Sequence, residues 1–125
     1  MSKQIINTAS APIGPYNQAV KAGGFLFVSG QIAMNPASGN IEASTIEEET
    51  HQVMKNLSAI FMEAGIEFSA AVKTTIFLTD MALFAAVNEV YASYLSDSYP
   101  ARETVAVKGL PRGVNVEISM VALCS

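Results

Sequence analysis

The sequence predicts an α+β fold, one sheet with two helices packed on one of its faces. Three observations carry that expectation. Segments of strand and helix character follow one another in the order β-β-α-β-α-β-β, Gly and Pro fall at turn-like positions between them, and 50% of the 125 residues are hydrophobic against 14% charged. With a mean hydropathy of +0.33, intrinsic disorder is excluded, and a chain of this length buries roughly two-thirds of its unfolded surface without staples. No linker, repeat or low-complexity stretch divides it, so residues 1–125 read as a single domain.

A short extra strand over Gln4 to Asn7 can precede the first clear unit, Ala19 to Val28, which Gly23-Gly24 interrupts. Paired glycines supply the positive φ values of a tight hairpin turn, so two antiparallel strands are expected there. Asn35-Pro36-Ala37-Ser38-Gly39-Asn40 is turn chemistry throughout. Ser44 or Thr45 then opens a helix: either one, with Glu47 or Glu48 three residues on, fits a capping box, and Glu47, Glu48 and Glu49 complement the helix dipole. Ile46, Val53, Leu57, Ile60 and Ala64 repeat at helical spacing for about five turns, and Gly65 suits a left-handed stop.

Val72, Thr74, Ile76 and Leu78 alternate with Lys73, Thr75, Phe77 and Thr79 as a strand should. Asp80 can cap a second helix whose buried stripe is Phe84, Val87, Tyr91 and Leu95, with Asn88 on or beside it. Beyond Ser98-Tyr99-Pro100, Glu103 to Lys108 and Val114 to Leu123 read as two strands joined by the loop Gly109-Leu110-Pro111-Arg112-Gly113. Right-handed crossovers put both helices on one face of the sheet. The other face then needs a cover, because both rows of the first hairpin are apolar, Phe25 and Phe27 against Leu26 and Val28. An oligomer whose subunits meet over the helix-free face is the expected solution.

Composition excludes several function classes. Seven Lys and Arg against eleven Asp and Glu give a net charge of -4 with no basic block, which disfavours nucleic-acid phosphates and anionic membranes as partners. No apolar run approaches the ~20 residues of a membrane span. The N-terminus, with Lys3 as its one basic residue and no continuous apolar core, resembles neither a signal nor a transit peptide, and a cytoplasmic location is expected. A lone Cys124 excludes an intramolecular disulfide framework and a cysteine-only metal site, and a single His51 weakens zinc and Ser-His-Asp readings. No metal or cofactor is expected.

Chemistry concentrates near the C-terminus. Alternation places Arg102, Thr104 and Ala106 on one face of their strand and Val105 and Val107 on the other, which directs Arg102 away from the helices. In the last strand Val116, Ile118 and Met120 share one face and Asn115, Glu117 and Ser119 the other. If the two strands pair, Arg102 and Glu117 share a polar row where subunits are expected to meet. A solvated strand face or a structural ion pair explains that row; so does a site in which Arg102 grips a small carboxylate or phosphate while Glu117 manages a proton or a water.

Ile13-Gly14-Pro15-Tyr16, Phe27-Val28-Ser29-Gly30-Gln31-Ile32, Val87-Asn88-Glu89-Val90-Tyr91, Tyr99-Pro100-Ala101-Arg102 and Val116-Glu117-Ile118 occur in one order and span nearly the whole chain. Together they resemble the RidA family, also called YjgF/YER057c/UK114. The resemblance implies a homotrimer of chorismate-mutase-like subunits with three clefts between them, and hydrolysis of 2-aminoacrylate and 2-aminocrotonate imines, products of pyridoxal-phosphate enzymes, to 2-keto acids and ammonia. Arg102 matches the family's carboxylate-binding arginine and Glu117 its water-positioning glutamate. Tyr16, Ser29, Gly30, Phe84 and Asn88 match cleft-lining positions. Where many members read Pro-Ala-Arg-Ser-Cys, this chain has Pro100-Ala101-Arg102-Glu103-Thr104. A cysteine nucleophile is therefore excluded at that place, while Thr104 retains the backbone N–H that a water mechanism can use. Glu103 is expected on the face opposite Arg102.

Two other function classes stay open at this level: a non-catalytic protein that senses 2-keto acids through Arg102, and the endoribonuclease some relatives are named for, which the acidic charge and the lack of a His pair oppose. His51 reads as a solvated residue without a predictable partner and Cys124 as a neutral residue at a frayed end. Tyr16 either packs its ring by the hairpin or offers its hydroxyl to substrate, and Asn88 either satisfies nearby backbone or binds a ligand.

Overall fold

The computed structural model describes residues 2–8, 12 and 14–125, which form one six-stranded mixed sheet with two α-helices. Ile13, part of the first motif above, lies outside the described residues. The short extra strand is present as β1 (Gln4–Ile6), antiparallel to β2 (Ala19–Ala22). Gly23 and Gly24 take φ values of 59° and 84°, the two positive values of a type I′ turn. They fold β2 back onto β3 (Phe25–Gln31) with Ala22 opposite Phe25.

Helix α1 (Ile46–Glu63) begins where its cap chemistry says it should. Thr45 Oγ1 accepts from the Glu48 amide, and Glu48 accepts from the Ser44 amide and hydroxyl, which hold its carboxyl below the usual range. It ends in a Schellman motif: Gly65 at φ 76° donates to Met62 O and Ile66 to Phe61 O. Val53, Met54, Leu57, Ile60 and Phe61 are its buried stripe. Buried Glu49 accepts from the amides of Asn115 and Val116 at 2.7 and 2.9 Å, tying the first turns of α1 to the start of the last strand.

Strand β4 (Ala71–Leu78) buries Thr74, Ile76 and Leu78. Val72 drops out of that row because the register with the last strand slips between Ala71 and Lys73, a bulge. Asp80 caps a single 3₁₀ turn, Met81–Leu83, through the Ala82 amide, and α2 (Phe84–Ser93) follows directly. Leu95, expected on the stripe of α2, lies just beyond its end. β5 (Ala101–Ala106) and β6 (Val116–Leu123) complete the chain.

The strand order is β1-β2-β3-β6-β4-β5, antiparallel except for the β4–β5 pair. This corrects the pairing on which the sequence-based site rested. β5 and β6 are not neighbours, since β4 lies between them and hydrogen-bonds to both. Helix α1 lies against β3, β6 and α2, and the core of Leu26, Val28, Ile76, Leu78, Val116, Ile118 and Met120 fills the space between the helices and one sheet face. The other face is bare, and Ile5, Phe25, Phe27, Val105 and Leu123 stand on it 39–54% exposed. Burying side chains of this size is worth roughly 1.5–3 kcal/mol each.

Candidate active site

Three side chains of α2 hold Arg102. Phe84, Asn88 and Tyr91 share one helix face at i, i+4 and i+7. The Phe84 and Tyr91 rings lie 5.5 and 5.3 Å from the guanidinium carbon, and Arg102 Nη1 donates to Asn88 Oδ1 at 2.6 Å. The arginine therefore packs against the helices, contrary to the expectation that it points away from them. Register explains why: Arg102 sits opposite Thr74 and Thr104 opposite Ile76, and Thr74 and Ile76 belong to the buried row of β4. Alternation sorted the residues of β5 correctly into two rows, but the row with Arg102, Thr104 and Ala106 is the helix-side row.

A cleft of about 320 Å³ opens beside the guanidinium, lined by Asn88, Tyr91, Ala92, Tyr99, Pro100 and Arg102. Among the described residues no carboxylate lies within salt-bridge distance of Arg102. Glu103 lies on the face opposite Arg102, as expected, but that face is the bare one, where Thr75 Oγ1 donates to it at 3.0 Å and Lys73 pairs with it at 3.4 Å. The Thr75 hydroxyl first, and then Lys73, hold its carboxyl below the usual range. Thr104 Oγ1 is buried without a hydrogen-bond partner among the described residues, an arrangement that costs about 1–3 kcal/mol unless something in another state meets it.

The second group lies at the bare face. Glu117 is opposite Phe77 on β4 and half-buried, and burial pushes its carboxyl above the usual range. Across from it, β3 carries a bulge: Val28 pairs with Met120 and Gln31 with Ile118, so Ser29 and Gly30 together oppose Ser119. Gly30 makes room for the glutamate, because a Cβ there would stand 2.6 Å from Glu117 Oε2 and 2.8 Å from its carboxyl carbon. Gly30→Ala is expected to push the carboxylate toward solvent at a cost of about 1 kcal/mol. The pKa of Glu117, followed by NMR titration, should then fall back toward the ordinary value. Ser29 Oγ donates to Asn17 O at 2.7 Å. Tyr16, 58% exposed, shares a hollow of about 420 Å³ with Ser29, Val20 and Phe27.

The chain thus brings the expected residues together as two groups. Arg102, Asn88, Phe84 and Thr104 gather on the helix side, while Glu117, Gly30, Ser29 and Tyr16 gather at the bare side. Arg102 and Glu117 do not share a row within one chain: Thr74 and Phe77, their partners on β4, are three residues apart and point to opposite faces. Asn88 neither satisfies backbone nor stands free, since its oxygen accepts from Arg102. His51 is exposed, as its solvated reading expects, and its Nδ1 lies 2.8 Å from the Tyr94 hydroxyl, a partner 43 residues away. The reading of Cys124 is corrected. Cys124 is buried, at 3% exposure, in the core beside Ala64. Tyr91 and its partner Thr74 were missed as site residues, although Tyr91 falls at helical spacing from Phe84 and Asn88. Among the described residues no group of three or more His, Cys, Asp or Glu could hold a metal ion, and no helix is long and apolar enough to cross a membrane.

The family model described as Endoribonuclease L-PSP matches residues 6–124. A RutC family protein of Pyrococcus horikoshii is 47% identical over 122 residues, 96% of this chain and 97% of that one. The human protein named 2-iminobutanoate/2-iminopropanoate deaminase is 42% identical over 123 residues, covering 97% of this chain and 90% of its own. The crystal structure of E. coli TdcF with bound serine superimposes with a TM-score of 0.88 at 38% identity, over 98% of this chain and 99% of the other. The chain therefore belongs to the Endoribonuclease L-PSP family, that of the RidA and RutC proteins.

Proposed function

We propose that this protein is a 2-iminobutanoate/2-iminopropanoate deaminase of the cytoplasm, a single-domain chain that hydrolyses the imines of 2-aminocrotonate and 2-aminoacrylate to 2-keto acids and ammonia. The observation that carries the reading is Arg102. Its guanidinium is fixed by two rings and an amide, borders a cleft, and has no carboxylate partner among the described residues. A planar fork so placed takes a small carboxylate in two parallel hydrogen bonds. The name of the human relative and the serine, itself a small carboxylate, bound in the E. coli protein support this choice.

The two groups of site residues lie on opposite sides of one sheet, so the reading requires a second copy. In a homotrimer whose chorismate-mutase-like subunits meet over the bare face, Glu117, Gly30, Ser29 and Tyr16 of one chain complete the cleft that Arg102, Asn88, Phe84 and Thr104 of another begin, giving three clefts. The substrate carboxylate then sits on Arg102, which presents the imine carbon to a water held by Glu117. A protonated imine is already an electrophile, so orientation, a water and a proton carrier suffice. Water adds to the carbon as Glu117 takes its proton, forming a carbinolamine. Glu117 returns the proton to the amine, the C–N bond breaks, and as ammonia leaves the hydroxyl proton passes through the Glu117 carboxylate to it, giving ammonium and the C=O of the keto acid. The Thr104 amide and its unpartnered hydroxyl are available to the polar intermediate.

Coupling the protein to a threonine dehydratase tests this. The keto acid should form faster than with the dehydratase alone. If it does not, yet calorimetry shows 2-ketobutyrate bound, the protein senses carboxylates without turnover; salt-dependent RNA binding would favour the nuclease reading instead.

A further inference from the structure

Tyr91 is buried at 4% exposure and Thr74 at 0%. The tyrosine hydroxyl donates to Thr74 Oγ1 at 2.9 Å, a polar contact against the apolar core cluster. Phenylalanine and valine would fill nearly the same space without the cost of desolvating two hydroxyls, so burial alone does not call for this pair. Its position suggests another purpose. Thr74 is the residue in register with Arg102 across the β4–β5 pair, and the Tyr91 ring lies 5.3 Å from the guanidinium carbon. The bond therefore closes a loop that runs from Arg102 across the backbone ladder to Thr74, through the hydroxyls to Tyr91, and back through the ring face to the same guanidinium.

We propose that the Tyr91–Thr74 pair is the positioning device of the candidate site, locking α2 and its aromatic ring against β4 so that the free edge of Arg102 keeps the direction a carboxylate needs. Neither hydroxyl touches substrate. Two-point binding tolerates misalignment of only roughly 10–20°. Without the bond, the ring is held by packing alone and α2 can slide by a fraction of an ångström against the strand, taking Phe84 and Asn88 with it. Burial raises the pKa of Tyr91, which keeps the hydroxyl protonated and donating at any working pH. The inference deepens the deaminase reading and rests on it for the identity of the ligand.

Tyr91→Phe, Thr74→Val, the double variant and Thr74→Ser test it, through KM and kcat in the coupled assay, the calorimetric Kd for 2-ketobutyrate, and Tm. Tyr91→Phe and Thr74→Val should each raise KM and Kd about three- to tenfold, with kcat little changed, the double variant should be no worse than either single one, and Thr74→Ser should restore wild-type binding. A fall in Tm with unchanged KM and Kd would overturn the proposal, because that is what a purely structural bond gives. So would additive losses in the double variant. If Thr74→Val fails to fold, Tyr91→Phe alone decides on the same readouts. A wild-type protein that binds 2-ketobutyrate without turning over imines would sink the deaminase reading while Kd still judges the positioning role; one that does neither would sink both.

Discussion

Arg102→Ala is expected to lower kcat/KM for imine hydrolysis by at least about 100-fold, some 2.7 kcal/mol, the value of two charge-assisted hydrogen bonds to one carboxylate. The loss should fall mainly on KM, because the carboxylate is held alike in substrate and transition state. Arg102→Lys keeps the charge but removes the planar fork and its stacking on Phe84 and Tyr91, so about tenfold of the loss should remain. Both variants should fold, since Arg102 is exposed and the core of the protomer does not depend on it. Coupled-assay kinetics and thermal melting separate the two effects. Wild-type kinetics for Arg102→Ala would show that the carboxylate binds elsewhere.

Glu117→Gln should cost about 10²- to 10⁴-fold in kcat, the usual contribution of a positioned proton carrier. A pH profile gives a sharper test. Burial raises the pKa of Glu117, and the proposed role requires the anion before water attack. Activity should therefore fall as pH drops through that raised value, placing the acid limb above the ordinary carboxylate range, and the glutamine variant should lose that limb along with its rate. Stability moves the other way. A carboxyl whose pKa is raised on folding contributes stability in acid that is lost as pH rises through the folded value. Glutamine mimics the neutral form, so the variant should melt above the wild type near neutral pH, with the difference vanishing in acid. An acid limb that survives the substitution would move the proton transfer to another group.

Much of this fold was legible because its signals are local. The glycine pair at 23 and 24, the Thr45 cap with Glu48, the stop at Gly65 and the alternation through Thr74 each act over a few residues, and each appears where expected. The candidate site was less legible because it depends on which strands meet. Consecutive strands pair or neighbour one another only about two times in three, and here β4 comes between β5 and β6. Alternation also has no sign: it separates Arg102 from Glu103 without saying which of them faces the helices. Polarity misled in choosing, because the bare face carries apolar side chains too, Phe27, Val105 and Leu123 among them. By polarity a row carrying an arginine suits the side away from the helices, yet this arginine is cradled by rings. The contacts of His51 with Tyr94 and of Cys124 with Ala64 join residues 43 and 60 apart, beyond the reach of any local pattern.

The notch that Gly30 leaves for Glu117 bears on how such chains can diverge. A methyl group at 30 and the Glu117 carboxylate in its present place exclude each other, so a side chain at 30 moves that carboxylate out of the notch. Substitutions at 30 and 117 should therefore arise in concert among descendants, and a lineage that has gained a side chain at 30 should show a shortened residue, or none reaching across, at 117.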